Sequence, residues 1–413
     1  MPKVKPFQAV RPHADFVKDI AALPYDVYNR KEAKEVVVKN PMSFLKIDRG
    51  ETLFPDDYDM YSQEVYDKSR DTLAEMIADG SFIKDNEDCY YVYALTMDGR
   101  TQSGLVGCAS IDDYVNNKIK KHENTRPDKE LDRTRHIDVL SAQTGPIFLA
   151  YRSVAELDEI VAKAKTAPAL YDFVAEDGVQ HQVWCIKDAD TVARIEVLFD
   201  EMDSIYIADG HHRNASAASV GLKRRKEHPD FTGEEEFNFY LGVLFPADEL
   251  AIFDYNRYVI DLNGHSAQEL LDLIGKNFTV EVPLSDAYRP KQKGEFGMYL
   301  AGNWYPLTVN PDLVPDDPVD GLDASILQNL VLDPLLGIKD PKTDTRIQFV
   351  GGIRGLDWLK KLVDETGGVS FAMYPTTMDE LFDVADAQQL MPPKSTWFEP
   401  KLRSGLFIHE IER

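Results

Sequence analysis

The sequence predicts a mixed α/β fold of the α+β class, organised around a strand that turns directly into a helix. The first observation is the run from Ser204 to Ser219, in which the apolar residues Ile205 to Ala208 precede an alanine-rich stretch. Short apolar runs are typical of buried strands, and alanine-rich runs are typical of helices. The second observation is that strand-like and helix-like patterns alternate along the rest of the chain, without internal repeats or low-complexity segments.

Length and composition describe a large globular protein. At 413 residues the chain is long enough for two or three domains, and 43% hydrophobic with 28% charged residues is ordinary for a soluble protein. The formal net charge of −25 repels polyanions. We therefore do not expect nucleic acid as a partner.

Cysteine usage and hydropathy indicate the compartment. The three cysteines, Cys89, Cys108 and Cys185, are widely spaced and form no Cys-x-x-Cys pair, which fits a reducing compartment without disulfides or a cysteine zinc site. No segment has the apolar length needed to cross a bilayer, and no apolar signal-peptide core follows the first residues. We expect a cytoplasmic protein without a membrane partner.

The N-terminal part of the chain predicts two helices and a hairpin. A helix is predicted from about Arg30 to Val38, because proline residues punctuate the chain before and after it. Apolar residues at helical spacing among charges predict a surface helix from Tyr58 to Ala78. Strands are predicted at Tyr90 to Leu95 and Gly104 to Ile111, since Asp98-Gly99 between them is a hairpin turn dipeptide.

A basic segment follows in an otherwise acidic chain. Thr125-Arg-Pro-Asp128 has the form of a capping box with a proline in the first turn, so a helix is predicted to begin there. Steps of three and four residues then place Arg126, Arg133 and His136 on one face. The segment concentrates seven permanent positive charges, which are Lys118, Lys120, Lys121, Arg126, Lys129, Arg133 and Arg135.

Two interpretations of this basic helix stay open. Alternating charges are typical of a solvated helix with ion pairs between successive turns. The functional interpretation is an anion clamp that faces the turn after Ala208. In that case Glu123, in the loop before the helix, supplies a carboxylate for proton transfer or magnesium.

The turn itself is Asp209-Gly-His-His-Arg213. A helix that begins here leaves its first backbone N–H groups unpaired and places the positive end of its dipole at the turn, which suits a phosphate. Gly210 keeps the backbone accessible, Arg213 adds a permanently charged planar fork, and Asp209 can bind Mg²⁺ or accept a proton. The alternative is structural: Asp209 caps the helix, Gly210 makes the turn, and the two histidines are solvated.

The remaining patterns continue the alternation. Strands are predicted near residues 147–151, 182–186, 237–245, 258–262, 278–282, 297–301, 304–309 and 346–352, and helices near 154–164, 191–202, 267–274, 324–332, 355–365 and 378–387. We divide the chain into an N-terminal α/β region (1–105), a core with the basic helix and the Asp209 turn (106–262), and a C-terminal α/β region (263–413) that folds back on the core.

The Asp209-Gly-His-His-Arg213 run after a buried strand resembles the Gly-x-x-Arg phosphate turn of the ParB/sulfiredoxin superfamily, which includes the free-serine kinases. Over more of the chain, Lys121 to Arg133, Ala142 to Phe148 and Met391 to Thr396 resemble the uncharacterised DUF1015 family almost from end to end. These resemblances imply a ParB/sulfiredoxin-like core with additional α/β lobes. They specify family membership and say little about activity.

Two further segments contain candidate residues for the functional site. Leu23 to Val27 resembles the opening motif of the DUF1015 family, which makes Asp26 a second-rank site residue beside its simpler role as a helix cap. Lys394, Ser395, Thr396 and Lys401 in the C-terminal tail are suited to a phosphate or a substrate carboxylate, and the alternative is an ordinary surface loop.

The sequence lacks the motifs that are typical of several large enzyme classes. The chain has no Walker A loop, no Gly-x-Gly-x-x-Gly before a helix, no His-Glu-x-x-His and no Gly-x-Ser-x-Gly. His211 and His212 are adjacent and point in different directions, which makes a shared zinc ion geometrically awkward. Sulfiredoxin chemistry is disfavoured because the reactive cysteine of that family corresponds to His211.

The leading hypothesis is a small-molecule kinase, similar to the free-serine kinases, that transfers phosphate from ADP or ATP with Mg²⁺ to a hydroxyl-bearing metabolite such as L-serine. The expected catalytic residues are Asp209, Glu123, His212 and His136, and the expected nucleotide-binding residues are Gly210, His211, Arg213, Arg126, Arg133 and Lys121, with Asp209 also the expected Mg²⁺ ligand. A homodimer is included among the expected partners. The competing hypothesis is a ParB-like nucleotide-binding module that acts through a partner without catalysis.

Overall fold

The computed structural model describes residues 1–412, which form two compact units. Unit 1 comprises Met1–Leu250 and the C-terminal segment that begins at Pro400, and unit 2 comprises Ala251–Glu399. Both units combine helices with sheets, so the predicted mixed α/β class is confirmed. The predicted three-region division differs from this one, since its first boundary falls within the strand Arg100–Ser110.

The strands, numbered along the chain, are as follows. They are β1 (Val4–Lys5), β2 (Val10–Pro12), β3 (Phe82–Lys84), β4 (Tyr90–Met97), β5 (Arg100–Ser110), β6 (Ile119–Lys120), β7 (Ala142–Gln143), β8 (Ile147–Tyr151), β9 (Tyr171–Val174), β10 (Gln180–Ile186), β11 (Ile205–Asp209), β12 (Phe239–Pro246), β13 (Tyr255–Val259), β14 (Phe278–Val280), β15 (Glu295–Leu300), β16 (Asn303–Val309), β17 (Ile347–Gly351), β18 (Val369–Met373) and β19 (His409–Glu410).

The α-helices are numbered in the same way. They are α1 (Val17–Ile20), α2 (Arg30–Lys39), α3 (Leu45–Asp48), α4 (Gln63–Ala78), α5 (Ile111–Val115), α6 (Pro127–Leu140), α7 (Ala155–Ala164), α8 (Ala189–Asp200), α9 (His211–Glu227), α10 (Ala267–Ile274), α11 (Asp323–Leu327), α12 (Leu356–Thr366) and α13 (Met378–Asp386).

Unit 1 is built on a nine-stranded mixed sheet. Its strand order is β6-β11-β8-β12-β5-β4-β10-β9, with β1 beside β5. The strand that leads into the Asp209 turn, β11, pairs in parallel with β6 and antiparallel with β8. Leu149, Ile207 and Leu244 from three of these strands are fully buried in one core, which fixes the position of the turn. Helix α9 leaves the turn and packs against the basic helix α6.

Unit 2 contains a six-stranded sheet in the order β14-β16-β15-β18-β13-β17. Residues alternate between two apolar clusters on its opposite faces. Val259 lies in the cluster with Met298 and Phe371, whereas its neighbour Tyr258 lies in the cluster with Trp304. The period of two that places successive side chains on opposite faces accounts for this division.

Most predicted elements are present, and the differences concern their ends. Asp26 does not cap α2, because the side chain of Asn29 accepts the N–H of Glu32 and forms the capping box. The predicted capping box at Thr125 is also absent. Arg126 occupies the N-cap position of α6 without a side-chain cap, and the hydroxyl of Thr125 instead donates to the carboxylate of Glu130 at 2.9 Å.

Two elements of unit 2 also differ from the sequence prediction. The strand predicted at 258–262 lies earlier, because Asn263 turns the chain with a φ of 53° and donates its N–H to Asp261. The helix predicted near 324–332 is regular only as far as Leu327. It continues as a π-helix over Gln328–Leu332, a widened turn that local helix propensity does not encode.

Candidate functional site

The Asp209 turn has the predicted strand-turn-helix form. Gly210 adopts a left-handed conformation with φ 92°, and the 17-residue helix α9 begins at the next residue. No side chain among residues 1–412 caps this helix N-terminus. Its first backbone N–H groups and its positive dipole end are therefore suited to an external anion.

Gly210 also makes room for the guanidinium of Arg213. A Cβ atom on Gly210 would lie 3.1 Å from both Nε and Nη2 of Arg213, closer than ordinary van der Waals contact. A glycine is thus favoured at position 210 for two reasons: the backbone has a positive φ, and a Cβ would crowd the guanidinium of Arg213.

An ion pair joins the turn to the C-terminal segment of unit 1. Nζ of Lys401 lies 3.0 Å from Oδ2 of Asp209, and the backbone N–H of Gly210 donates to Oδ1 at 2.8 Å. Burial raises the pKa of Asp209, but the charges of Lys401 and Arg213 outweigh that effect and hold it well below its usual range. Asp209 is ionised at neutral pH and is consequently a weak base.

Arg213 is held by a backbone carbonyl. Its Nη1 donates to the carbonyl oxygen of Pro146 at 2.6 Å. A carbonyl orients a guanidinium without neutralising its charge. Arg213 therefore presents a fixed positive charge beside the start of α9.

Arg213 and the basic helix line the same small cavity. The cavity has a volume of about 30 Å³ and is lined by Tyr25, Asp48, Arg133, His136, Ile137, Gln143, Thr144, Gly145, Ile147, Arg213, Ala217, Leu241 and Ser404. This volume holds one or two water molecules or the oxygens of a small anionic group. It does not hold a whole nucleotide, so the body of such a ligand would lie outside the cavity.

Arg133 and His136 face this cavity but are bound within the protein. Arg133 is 8% exposed, its Nη2 lies 2.8 Å from the carboxylate of Asp132, and its guanidinium stacks on the ring of Tyr25 at 4.2 Å. Nε2 of His136 lies 3.0 Å from the carbonyl oxygen of Ile47, so this nitrogen carries the proton. Burial lowers the pKa of His136, which keeps the ring neutral.

His211 and His122 form a buried pair, so the solvated histidines of the structural alternative are not observed. Their rings meet edge to face at 4.5 Å, and the two residues are 6% and 2% exposed. The backbone N–H of His122 donates to Nε2 of His211 at 3.4 Å. Burial lowers the pKa of His122 to about 4 although the Asp209 carboxylate opposes this shift, and the pKa of His211 also lies well below 6.5.

His212 points away from His211, as predicted, and joins the two helix starts. Its Nε2 accepts the backbone N–H of Arg126 at 2.9 Å, which leaves the ring proton on Nδ1. Burial lowers the pKa of His212, and the nearby Asp26 carboxylate opposes that shift. Asp26 is exposed in the turn before α2 and does not cap that helix. Its effect on His212 shows that its charge lies near the Asp209 turn.

The other members of the predicted clamp are exposed. Arg126 precedes α6, its side chain is 70% exposed, and its Nη2 pairs with Asp128 at 2.9 Å. It does not share a face with the buried Arg133 and His136, because it stands outside the helix. Lys121 and Glu123 are exposed on either side of the buried His122.

The candidate site residues of the C-terminal tail belong to two different units. Lys401 reaches Asp209 in unit 1, whereas Lys394, Ser395 and Thr396 belong to unit 2. The hydroxyl of Ser395 is buried and donates to the carbonyl of Pro392 at 2.8 Å. Ser395 is therefore bound within its own loop.

Several cavity residues were not predicted from the sequence, notably Asp48, Thr144 and Ser404. The hydroxyl of Thr144 donates to Oδ1 of Asp48 at 2.8 Å, and Asp48 is 3% exposed. Thr144 lies inside the segment from Ala142 to Phe148 that resembles the DUF1015 family, so the sequence could have indicated it. Nothing local marks Asp48 or Ser404, which come from α3 and the C-terminal segment.

Within residues 1–412 no group of three or more His, Cys, Asp or Glu side chains is arranged to hold a metal ion. None of the helices described is both long and apolar enough to cross a membrane.

Comparison with known proteins gives one family and several remote structural likenesses. A family model described as "Protein of unknown function (DUF1015)" matches residues 4–325, and no curated protein matches. A truncated SbnI from Staphylococcus aureus is similar with 10% identity and a TM-score of 0.38, covering 71% of this chain and 82% of that one. A free serine kinase in complex with AMP is similar with 11% identity and a TM-score of 0.34, covering 76% and 92%. At these scores the likenesses carry no weight for function.

Proposed function

The chain belongs to the family described as "Protein of unknown function (DUF1015)", and we propose that this member is a small-molecule kinase that transfers phosphate from ADP or ATP to a hydroxyl acceptor. One observation carries the proposal: the uncapped start of α9 follows Gly210, and Arg213 stands beside it at a cavity that Arg133 and His136 also line. Helix N-termini bind phosphate oxygens through backbone N–H groups and the helix dipole. A guanidinium adds a second, planar set of donors.

The nucleotide phosphates would bind at the first turn of α9. The backbone N–H groups of His211, His212 and Arg213 would contact phosphate oxygens, and the guanidinium of Arg213 would clamp them from the cavity side. His212 adds an Nδ1–H donor, because its Nε2 is occupied by Arg126. Lys121 and Arg126 are exposed and would contribute long-range attraction for a polyanion.

Asp209 fits a Mg²⁺ ion better than it fits the role of base. Magnesium usually takes one or two protein carboxylates together with phosphate oxygens and water, so one aspartate at the turn is sufficient. The ion would neutralise charge on the phosphates. The low pKa of Asp209 makes it a poor proton acceptor.

Glu123 is the better candidate for the base. It is exposed in the loop beside His122, whose ring contacts His211 at the turn. Its carboxylate would take the proton of the acceptor hydroxyl while that oxygen attacks the terminal phosphorus, and the shortened nucleotide would leave with the electron pair of the broken P–O bond. Arg133 would add positive potential near the transferred group, and the neutral ring of His136 would shape the cavity beside it.

The test is a search for phosphorylated product. The protein is incubated with Mg²⁺, ADP or ATP and a panel of hydroxy amino acids that includes L-serine, and products are detected by ³¹P NMR. Under the proposal one acceptor gives product, and Arg213→Ala lowers the rate while Lys226→Ala leaves it unchanged. Lys226 is the matched control because it lies exposed on the same helix and carries the same charge.

The second candidate function is a nucleotide-binding module without catalysis. It is favoured by Arg133 and His136, two residues expected to act on the transferred phosphate, because they are buried and bound to Asp132 and to the carbonyl oxygen of Ile47. Nucleotide binding without product from any acceptor would support the module. If neither ADP nor ATP bound, both proposals would be excluded.

A further inference from the structure

Unit 2 contains a buried arginine, Arg257, that forms no ion pair with any carboxylate of residues 1–412. Arg257 lies in β13, between β18 and the edge strand β17, and is 4% exposed. Its Nη1 donates to the backbone carbonyl of Tyr255. A carbonyl leaves the positive charge in place, and buried charges are normally paired with an opposite charge.

The other strongly buried arginines show what is missing at Arg257. Four arginines among residues 1–412 are more than 90% buried: Arg49, Arg133, Arg257 and Arg403. Arg49 pairs with Glu51 at 2.6 Å, Arg133 pairs with Asp132 at 2.8 Å, and Arg403 pairs with Asp177. The protein thus supplies an acid to each of the other three, which makes Arg257 the exception.

Aromatic rings surround the Arg257 guanidinium. It lies 4.7 Å from the ring centre of Phe349, its partner on β17, and 5.9 Å from that of Tyr255. The ring of Trp397 meets Tyr255 edge to face at 5.0 Å. Trp397 can approach this closely because residue 351 is a glycine, and a Cβ there would stand only 3.0 Å from the indole. These rings orient the guanidinium by cation–π contact without removing its charge.

A second cation lies at the rim of this group. Nζ of Lys394 is 6.0 Å from the ring centre of Tyr255, and Lys394 is exposed with a φ of 60°. It belongs to the Met391-Pro-Pro-Lys-Ser-Thr396 segment, which the proposed function does not use. The buried arginine, the rings and the exposed lysine are all residues of unit 2.

We propose that Arg257 and Lys394 bind an oxyanion, a carboxylate or a phosphate, carried on an aromatic or other planar group that packs against Tyr255 and Trp397. The anion would supply the negative charge that the protein provides to its other buried arginines. The planar carrier would use the aromatic rings. Burial lowers the pKa of Arg257 to about 10, which still leaves the guanidinium charged at pH 7. The proposal does not depend on kinase activity.

Calorimetric titration of the full chain with three probes tests this site. Phenyl phosphate and benzoate separate the two oxyanions, and inorganic phosphate reports binding without a ring. The titrations are made in Arg213→Ala protein, so that the phosphate turn of unit 1 does not contribute. We expect phenyl phosphate or benzoate to bind at least about tenfold more tightly than inorganic phosphate, from the ring contact.

Three variants on that background locate the binding. Arg257→Lys keeps the charge and loses the planar fork, and Lys394→Ala removes the rim cation without touching the core. Each should weaken probe binding about tenfold or more. Arg354→Ala is the matched control, because Arg354 is an exposed arginine of unit 2 that stacks on Trp358. Absence of binding by all three probes would overturn the site, as would binding that Lys394→Ala leaves unchanged in a folded protein.

Discussion

Nζ of Lys401 lies 3.0 Å from Oδ2 of Asp209, although 192 residues separate them in the sequence. The C-terminal segment of unit 1 therefore completes the electrostatics of the phosphate turn. It keeps Asp209 ionised, because the ammonium group of Lys401 and the guanidinium of Arg213 both stabilise the charged carboxylate. The turn depends on this segment as well as on the strand and the helix that form it.

Lys401→Met should destabilise unit 1 in a pH-dependent way. Loss of this ion pair is expected to lower the free energy of unfolding by about 1 kcal/mol at pH 7, a modest value because both side chains are partly exposed and screened. The folded-state pKa of Asp209 lies below its ordinary value of 3.8, so the stabilisation is present above pH 3.8 and is lost as the pH falls further. Urea unfolding of both proteins should show a constant difference between pH 7 and pH 4, which shrinks only as the pH falls well below 3.8. A difference that grew on acidification would contradict the assignment.

Gly210→Ala should cost more than a left-handed glycine normally costs. The alanine would carry the usual penalty of about 1 kcal/mol for a positive φ, and its Cβ would also displace the guanidinium of Arg213. Gly178→Ala is the matched control, because Gly178 has a φ of 81° with no atom within 4 Å of the added Cβ. Thermal or urea unfolding should rank Gly210→Ala as the more destabilised variant. Equal losses would mean that the guanidinium moves aside freely.

Arg213→Ala should weaken nucleotide binding. Removal of a charge-assisted phosphate contact is expected to cost about 1.5 to 3 kcal/mol, equivalent to roughly 10- to 150-fold in Kd. Calorimetric titration with ADP and ATP in the presence of Mg²⁺ measures the change, and Lys226→Ala on the same helix should bind as the unmodified protein does. Unchanged affinity in Arg213→Ala would make this arginine a structural residue.

His122→Phe should reduce the acid sensitivity of the fold. In the folded protein the pKa of His122 is about 4 against 6.5 for an ordinary histidine, so between these values the unfolded chain binds a proton that the folded chain does not. Stability is therefore greatest above pH 6.5 and falls as the pH drops from 6.5 towards 4. Phenylalanine keeps a ring against His211 and has no proton to bind. Free energies of unfolding measured across that window should fall less steeply in the variant, and parallel curves would contradict the buried, neutral state of His122.

The elements of the site could be predicted from the sequence because their causes are local. An apolar run from Ile205 to Ala208 favours a strand, Gly210 accepts a left-handed turn, and the alanines that follow favour a helix. The capping predictions at Asp26 and Thr125 were wrong for an equally local reason. Asn29 lies close enough in the sequence to cap α2 in place of Asp26. The hydroxyl of Thr125 donates to the carboxylate of Glu130 and does not cap α6.

The sequence by itself determined the strand-turn-helix, its family, and the residue types that gather near the turn. Only the tertiary structure decided which of those residues face one cavity: Arg133 turns inward to Asp132, whereas Arg126 stays outside the helix in water. It also decided that Lys401 reaches Asp209 and that Arg257 is buried without an acid. The physical reason is that periodicity and propensity act over a few residues. Charge pairing and burial depend on which distant segments the packed core brings together.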